Sequence, residues 1–264
     1  MKNTPRGSFC WVTAGLVLVG TVLIACGSST PPAVKIVAAT PQATVATVAA
    51  TAAATPRTTA TRAALESCTA KAADPFLLRV VDKQRGLPQD YRPADLQVID
   101  DRWAAPGFPG ATMRAASAGP LVEMLTAAQA QGVELRVRSS FRSYQEQART
   151  FQFWIDQLGE AQARRESAPP GNSEHQLGTT ADVISRSVNW ELIIAFGQTA
   201  EGKWLAAHAP EYGFAISYPP DGEAITGYIY EPWHVRYVGK PCAAEWRASG
   251  LVLVKFLERL AAAR

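Results

Sequence analysis

Gly227-Tyr-Ile-Tyr-Glu231-Pro-Trp-His234-Val-Arg-Tyr-Val-Gly239 is the stretch on which the reading of this chain turns. Val235–Val238 has the β-branched and aromatic content of a short strand. Glu231 and His234 stand three apart, an offset that sends side chains to opposite faces of a regular strand. Pro232 lies between them and has no N–H to give to a ladder, so the strand cannot extend back through it. A turn at the strand mouth would bring both side chains inward. Upstream, Ala224–Tyr230 and Phe214–Tyr218 read as further short strands, with Pro219-Pro-Asp-Gly222 a turn between them.

Farther toward the N-terminus the period changes. Met113–Ala130 repeats apolar residues at helical spacing (Leu121, Leu125, Ala128), with Gly119-Pro120 expected to break or kink it. Val133, Leu135 and Val137 alternate with Glu134, Arg136 and Arg138, the pattern of a strand with one buried face. Ser143-Tyr-Gln-Glu146 has the form of a capping box, so a helix begins there, with Tyr144, Ala148, Phe151 and Ile155 on one face and Gly159 placed to end it. A polar loop covers 166–173. Helices are expected at Asn189–Phe196, at Gly202–Ala209 before Pro210, and over Ala243–Ala262. Helices first and hairpins later argue for an α+β fold, a small antiparallel sheet with flanking helices.

The chain has 3 histidines. His175 lies in Ser173-Glu-His175-Gln-Leu-Gly178-Thr-Thr-Ala-Asp182, and His234 in the segment above. A catalytic zinc takes three N or O protein ligands and keeps one position open. His175, Asp182 and His234 would supply the three, leaving Glu231 free as general base. Gly178-Thr-Thr disfavours a helix between His175 and Asp182, and a regular strand would put them on opposite faces. The site therefore requires a loop at His175 leading into a strand at Ala181–Ile184. His208, near a helix end, reads as structural, as do Trp233 and Tyr237 in core or pocket wall. Arg164-Arg165-Glu166 reads as a solvated face.

Three segments, Ser139-Ser-Phe-Arg142-Ser143, Ser173–Asp182 and Gly227–Gly239, resemble in order and spacing the signature segments of the VanY-type D-alanyl-D-alanine carboxypeptidases. Leu78–Asp100, with Leu87-Pro-Gln-Asp-Tyr91, resembles the usual start of that domain, so the likeness spans about residues 74–240. It implies a small α+β domain whose antiparallel sheet carries Zn2+ on His175, Asp182 and His234, with Glu231 as acid/base. Arg142, five residues before Gln147, matches the family's substrate-binding pair, and Ser173 its serine two places before the first ligand. A guanidinium offers a rigid fork of donors to a carboxylate or a developing oxyanion, which implies a catalytic role for Arg142 as well. Thr180 stands where the family has a small apolar residue, and its hydroxyl needs a partner if buried. Ser140 and Phe141 replace the commoner Gly and Tyr.

The 264 residues carry 26 Lys and Arg against 23 Asp and Glu. Five of the bases and none of the acids precede Glu66, which leaves 21 against 23 from there on, about −2. The basic balance thus belongs to the N-terminal arm, and the folded part has no footprint for nucleic acid. Lys2 and Arg6 followed by the apolar run Phe9–Ala25 read as an export signal. Leu23-Ile-Ala-Cys26-Gly27 resembles the lipobox of bacterial lipoproteins, which implies cleavage before Cys26 and its acylation; a plain signal anchor is the alternative. Residues 1–25 are thus read as signal, 26–66 as acylated Cys26 and an Ala/Thr/Pro-rich tether, and 67–264 as the catalytic domain. A coil of the tether's length spans roughly 35 Å. Cys68 and Cys242 flank the domain, and an exported compartment permits them to bridge, with unpaired thiols the alternative. Neither has a Cys or His neighbour in sequence to make a metal site.

The expected function is a lipid-tethered zinc D,D-carboxypeptidase, outside the cytoplasm and monomeric, that trims the D-alanyl ends of peptidoglycan stem peptides. An L,D-carboxypeptidase on tetrapeptide stems shares the same metal chemistry. A non-catalytic wall-binding lipoprotein is a third reading, against which the intact Glu231 speaks.

Overall fold

The structure is a computed structural model and describes Cys68 and residues 76–262. The expected signal, Cys26 and the expected tether lie outside the described residues. Within them, seven α-helices and six strands alternate with short 3-10 turns. β1 (Leu96–Val98) and β2 (Thr112–Arg114) form a two-stranded antiparallel ribbon. β3 (Arg136–Ser139), β4 (Thr180–Ile184), β5 (Phe214–Ile216) and β6 (His234–Tyr237) form a second sheet in the order β3-β4-β6-β5, antiparallel throughout. The α+β architecture is that expected from the sequence.

β4 is buried along its whole length, so its polar residues Thr180 and Asp182 are enclosed as fully as its apolar ones. Asp182 faces the site, and Ala181, Val183 and Ile184 belong to the main core. That core receives Met113, Leu121, Met124 and Leu125, the last three on one stripe of α1 (Ala115–Ala130). A second apolar cluster joins Leu253, Phe256, Leu257 and Leu260 of α7 (Leu253–Ala262) to Ala215 and Val238. Cys68 and Cys242 lie in that cluster and are joined by a disulfide across 174 residues of sequence. α2 (Tyr144–Leu158) starts on the expected capping box: Ser143 Oγ accepts from Glu146 N, and the Glu146 carboxylate accepts from Ser143 N.

Five expectations about elements need correction. Pro120 does not break α1; it stands in the second turn, where it costs one ladder bond and the helix runs on. The strand expected to start at Val133 starts at Arg136. Its partner β4 ends at Ile184, opposite Arg136, so nothing is left to pair the residues before it. Ala224–Tyr230 is no strand, because both edges of β6 are already taken by β4 and β5. A single helical turn, α5 (Glu223–Thr226), forms there and ends at Gly227, whose φ is +75°. In place of the helix at Asn189–Phe196 there are 3-10 turns at Arg186–Val188 and Ile194–Gln198, parted by Asn189 and Trp190 at positive φ. The closing helix is two, α6 (Lys240–Ser249) and α7, divided at Gly250, which caps α6 in the left-handed region. Two helices complete the set: α3 (Glu160–Glu166), which carries the Arg164-Arg165-Glu166 face just before the loop expected at 166–173, and α4 (Ala200–His208), close to its expected span.

Candidate metal centre and its cleft

Each of the three candidate ligands is placed by a different device. Ser173 opens a 3-10 turn, Glu174–Leu177, its Oγ accepting from His175 N at 3.3 Å. Gly178 then reverses the chain at φ +73° and leads into β4. A Cβ at Gly178 would come within 2.9 Å of Arg114 Cγ, so only glycine fits this joint between His175 and Asp182. Asp182 and His234 are cross-strand partners on β4 and β6. Glu231 is carried in by the turn before β6, where Glu231 N donates to Tyr218 O and His234 N donates to Glu231 O.

The ligand atoms of His175, Asp182 and His234 lie within 4.8 Å of one another, and all three residues are buried. His175 Nε2 is 3.4 Å from Asp182 Oδ2, and His234 Nδ1 is 3.4 Å from Asp182 Oδ1. The outer ring nitrogens are both engaged. His175 Nδ1 meets Ser140 O at 2.7 Å, and His234 Nε2 meets Glu174 Oε2 at 3.0 Å. Each outer nitrogen therefore donates its N–H, and the inner nitrogens, His175 Nε2 and His234 Nδ1, are the ones turned to Asp182. Among the described residues Asp182 Oδ1 is buried with no hydrogen-bond partner, its contact with His234 being too poorly aligned to serve. Burial opposes ionisation of Asp182, but His175 and His234 beside it hold the carboxyl far below the usual carboxylate range. Burial opposes a charge on His234, but Asp182, Glu174 and Glu231 outweigh it and hold the ring well above its usual range, so a cation would replace a proton at Nδ1. A carboxylate and two imidazole nitrogens so placed are a donor set that fits a divalent zinc-like ion.

Glu231 completes the inner group, its Oε2 3.3 Å from His234 Nδ1. Burial pushes its carboxyl up, and His234 partly offsets this. The cluster opens into a cleft of about 800 Å³. Arg142 lines it, with Nη1 donating to Gln147 Oε1 at 2.7 Å and Nη2 to Ser139 Oγ at 2.8 Å, 3.9 Å from Asp182 Oδ2. Gln147 is fully buried, and its amide nitrogen donates to Ala168 O at 2.6 Å and Ser167 Oγ at 3.2 Å. Its geometry is that of a strut that fixes Arg142. Ser173 borders the cleft at 4% exposure.

Sequence reading missed the support beneath His234. Glu174, also buried, accepts from Ser217 Oγ at 2.6 Å and from Arg236 Nη1 at 2.6 Å, besides its contact with His234. Burial works against its ionisation, yet Arg236, His234 and Ser217 outweigh it and hold the pKa at about 2. Arg236 is wholly buried and also donates from Nη2 to the carbonyls of Leu77 and Arg79. One signal was available: Arg236 is two residues from His234 on a strand, hence on the same face.

Comparison with known proteins agrees with this geometry. The family model for the VanY D-alanyl-D-alanine carboxypeptidase matches residues 110–240. The chain is 41% identical over 185 residues to the putative carboxypeptidase YodJ of Bacillus subtilis (strain 168), covering 70% of this chain and 68% of that protein. Among solved structures, the LdcB LD-carboxypeptidase superposes with a TM-score of 0.63 at 41% identity, covering 69% of this chain and 86% of the other. The vancomycin-resistance D,D-pentapeptidase VanY, solved in complex with Zn(II), gives a TM-score of 0.58 at 29% identity, covering 69% and 99%. The chain belongs to the VanY D-alanyl-D-alanine carboxypeptidase family.

Proposed function

We propose that this carboxypeptidase uses zinc held by His175, Asp182 and His234 to hydrolyse the last peptide bond of peptidoglycan stem peptides and release D-alanine. The observation that carries the reading is the convergence of His175 Nε2 and His234 Nδ1 on the buried Asp182 carboxylate, one against each oxygen, with both outer ring nitrogens tied. Bound there, zinc would polarise the scissile carbonyl and acidify a water. Glu231 takes the proton from the attacking water and gives it to the leaving amine. Arg142, held by Gln147 and Ser139, turns its guanidinium to the developing oxyanion or to the peptide's terminal carboxylate. Ser173 shapes the rim beside His175.

The family match favours a D,D activity on pentapeptide stems. An L,D activity on tetrapeptide stems is favoured by the greater likeness to the LD-carboxypeptidase LdcB, at 41% identity, than to the D,D-pentapeptidase, at 29%. Export with a lipid anchor at Cys26 belongs to the same proposal, supported by the N-terminal sequence and by a disulfide that suits an oxidising compartment.

The test is D-alanine release from pentapeptide and tetrapeptide side by side, with chelation and zinc restoration. Glu231→Gln keeps the size of the side chain but cannot accept the proton. It should retain metal and peptide binding while turnover falls at least about 100-fold. Near-normal turnover in Glu231→Gln, or no release from either peptide by the wild type, refutes the mechanism.

A further inference from the structure

β3 and β4 do not pair evenly. Val137 is opposite Val183 and Ser139 is opposite Asp182, so Arg138 is an extra residue in β3, a β-bulge beside the metal cluster. In an unbroken ladder Arg138 would face Asp182 and Ser139 would turn to the other side. The bulge instead puts two consecutive side chains on the cleft. Ser139 is spent on Arg142. Arg138 is left with its guanidinium stacked on the Phe108 ring, Cζ 3.1 Å from the centroid. Among the described residues it has no ion pair, and its Nε is buried with no hydrogen-bond partner. Burial presses the group toward its neutral form, Asp182 pulls the other way, and Arg142 adds to the burial effect. A cation so placed lacks an anion, and Arg142 and Arg149 line the same cleft.

We propose that Arg138 is a substrate-specificity residue that binds a free carboxylate carried by the stem peptide on the N-terminal side of the scissile bond. Arg142 serves the reacting end, and one guanidinium cannot serve both ends of a peptide. The stack on Phe108 fixes the plane of the fork in advance, so little freedom is lost when a carboxylate docks. The proposal rests on the peptidase reading above and adds the chemical class of the substrate: a peptide acidic at two places, its terminus and an upstream residue.

The experiment uses two synthetic stem peptides that differ only upstream, one with its upstream carboxylates free and one with them amidated. For the wild type, kcat/KM should favour the free acid by on the order of tenfold, the scale of a charge-assisted hydrogen-bonded pair. In Arg138→Gln the preference should fall to near one through loss on the acid peptide alone. Unchanged turnover of the amidated peptide shows that this variant is folded. Arg138→Lys, which keeps charge but not the planar stack, should keep part of the preference. An equal loss on both peptides, or a wild type indifferent to amidation, overturns the inference while the peptidase reading stands. If neither peptide is cleaved, that reading falls and takes the inference with it.

Discussion

Glu174, buried beneath the metal centre, accepts from a serine, a histidine and an arginine. A buried carboxylate so fully occupied has one geometry, and through Nε2 it imposes one ring orientation and one tautomer on His234. Replacing it by alanine would strand the Arg236 cation and threaten the fold itself. Glu174→Gln is the cleaner change, since the amide oxygen still accepts while its charge is gone. Zinc affinity, measured by competition with a chelator, should weaken on the order of tenfold in a folded protein. Unchanged affinity would show that His234 is held without Glu174. The scarcity of histidines made His175, Asp182 and His234 candidates with Glu231 beside them, but the spacing alone left their convergence open, and the resemblance of three segments to the family supplied the assignment. Glu174, Ser217 and Arg236 were not legible, because a buried charge gives no local signal and its partners come from separate segments.

At the scale of elements, β4 shows what local reading can and cannot see. The requirement for a loop at His175 followed by a strand came from the offset of seven between two ligands. That Thr180 would be wholly buried came only from the sheet order, which places β4 between β3 and β6. Its Oγ1 finds no hydrogen-bond partner, a deficit that costs on the order of 1 kcal/mol. Thr180→Val keeps the shape and removes the deficit, so the thermal midpoint should rise by about 2–4 °C. A lower midpoint would mean that a buried water joins Thr180 to Arg236 Nε, which also has no partner. The capping box of α2 was legible because all of its information lies within four residues. The helical turn at Glu223–Thr226 and the break at Gly250 were not. A saturated strand edge and a second apolar cluster decided them, and neither is local.

For the whole molecule, charge and composition alone divide the chain in two. An arm without acids precedes a domain near neutrality. If that arm is a lipoprotein leader, Cys26→Ser should leave the protein uncut or release it to solution, as read by membrane fractionation and mature mass. Unchanged mass and membrane association would identify a signal anchor instead. The disulfide ties Cys68, just past the arm, to Cys242 at the start of α6. Arg236 makes a second tie, because its guanidinium spans from Glu174 under the metal centre to the carbonyls of Leu77 and Arg79. The family model matches from residue 110, but the likeness to relatives and the contacts of Arg236 both reach further back. A protein cut to start at residue 110 would keep every metal ligand and still leave Arg236 short of two acceptors. A working catalytic unit therefore has to reach back to where this buried cation finds its last oxygen, more than thirty residues before the span that the family model matches.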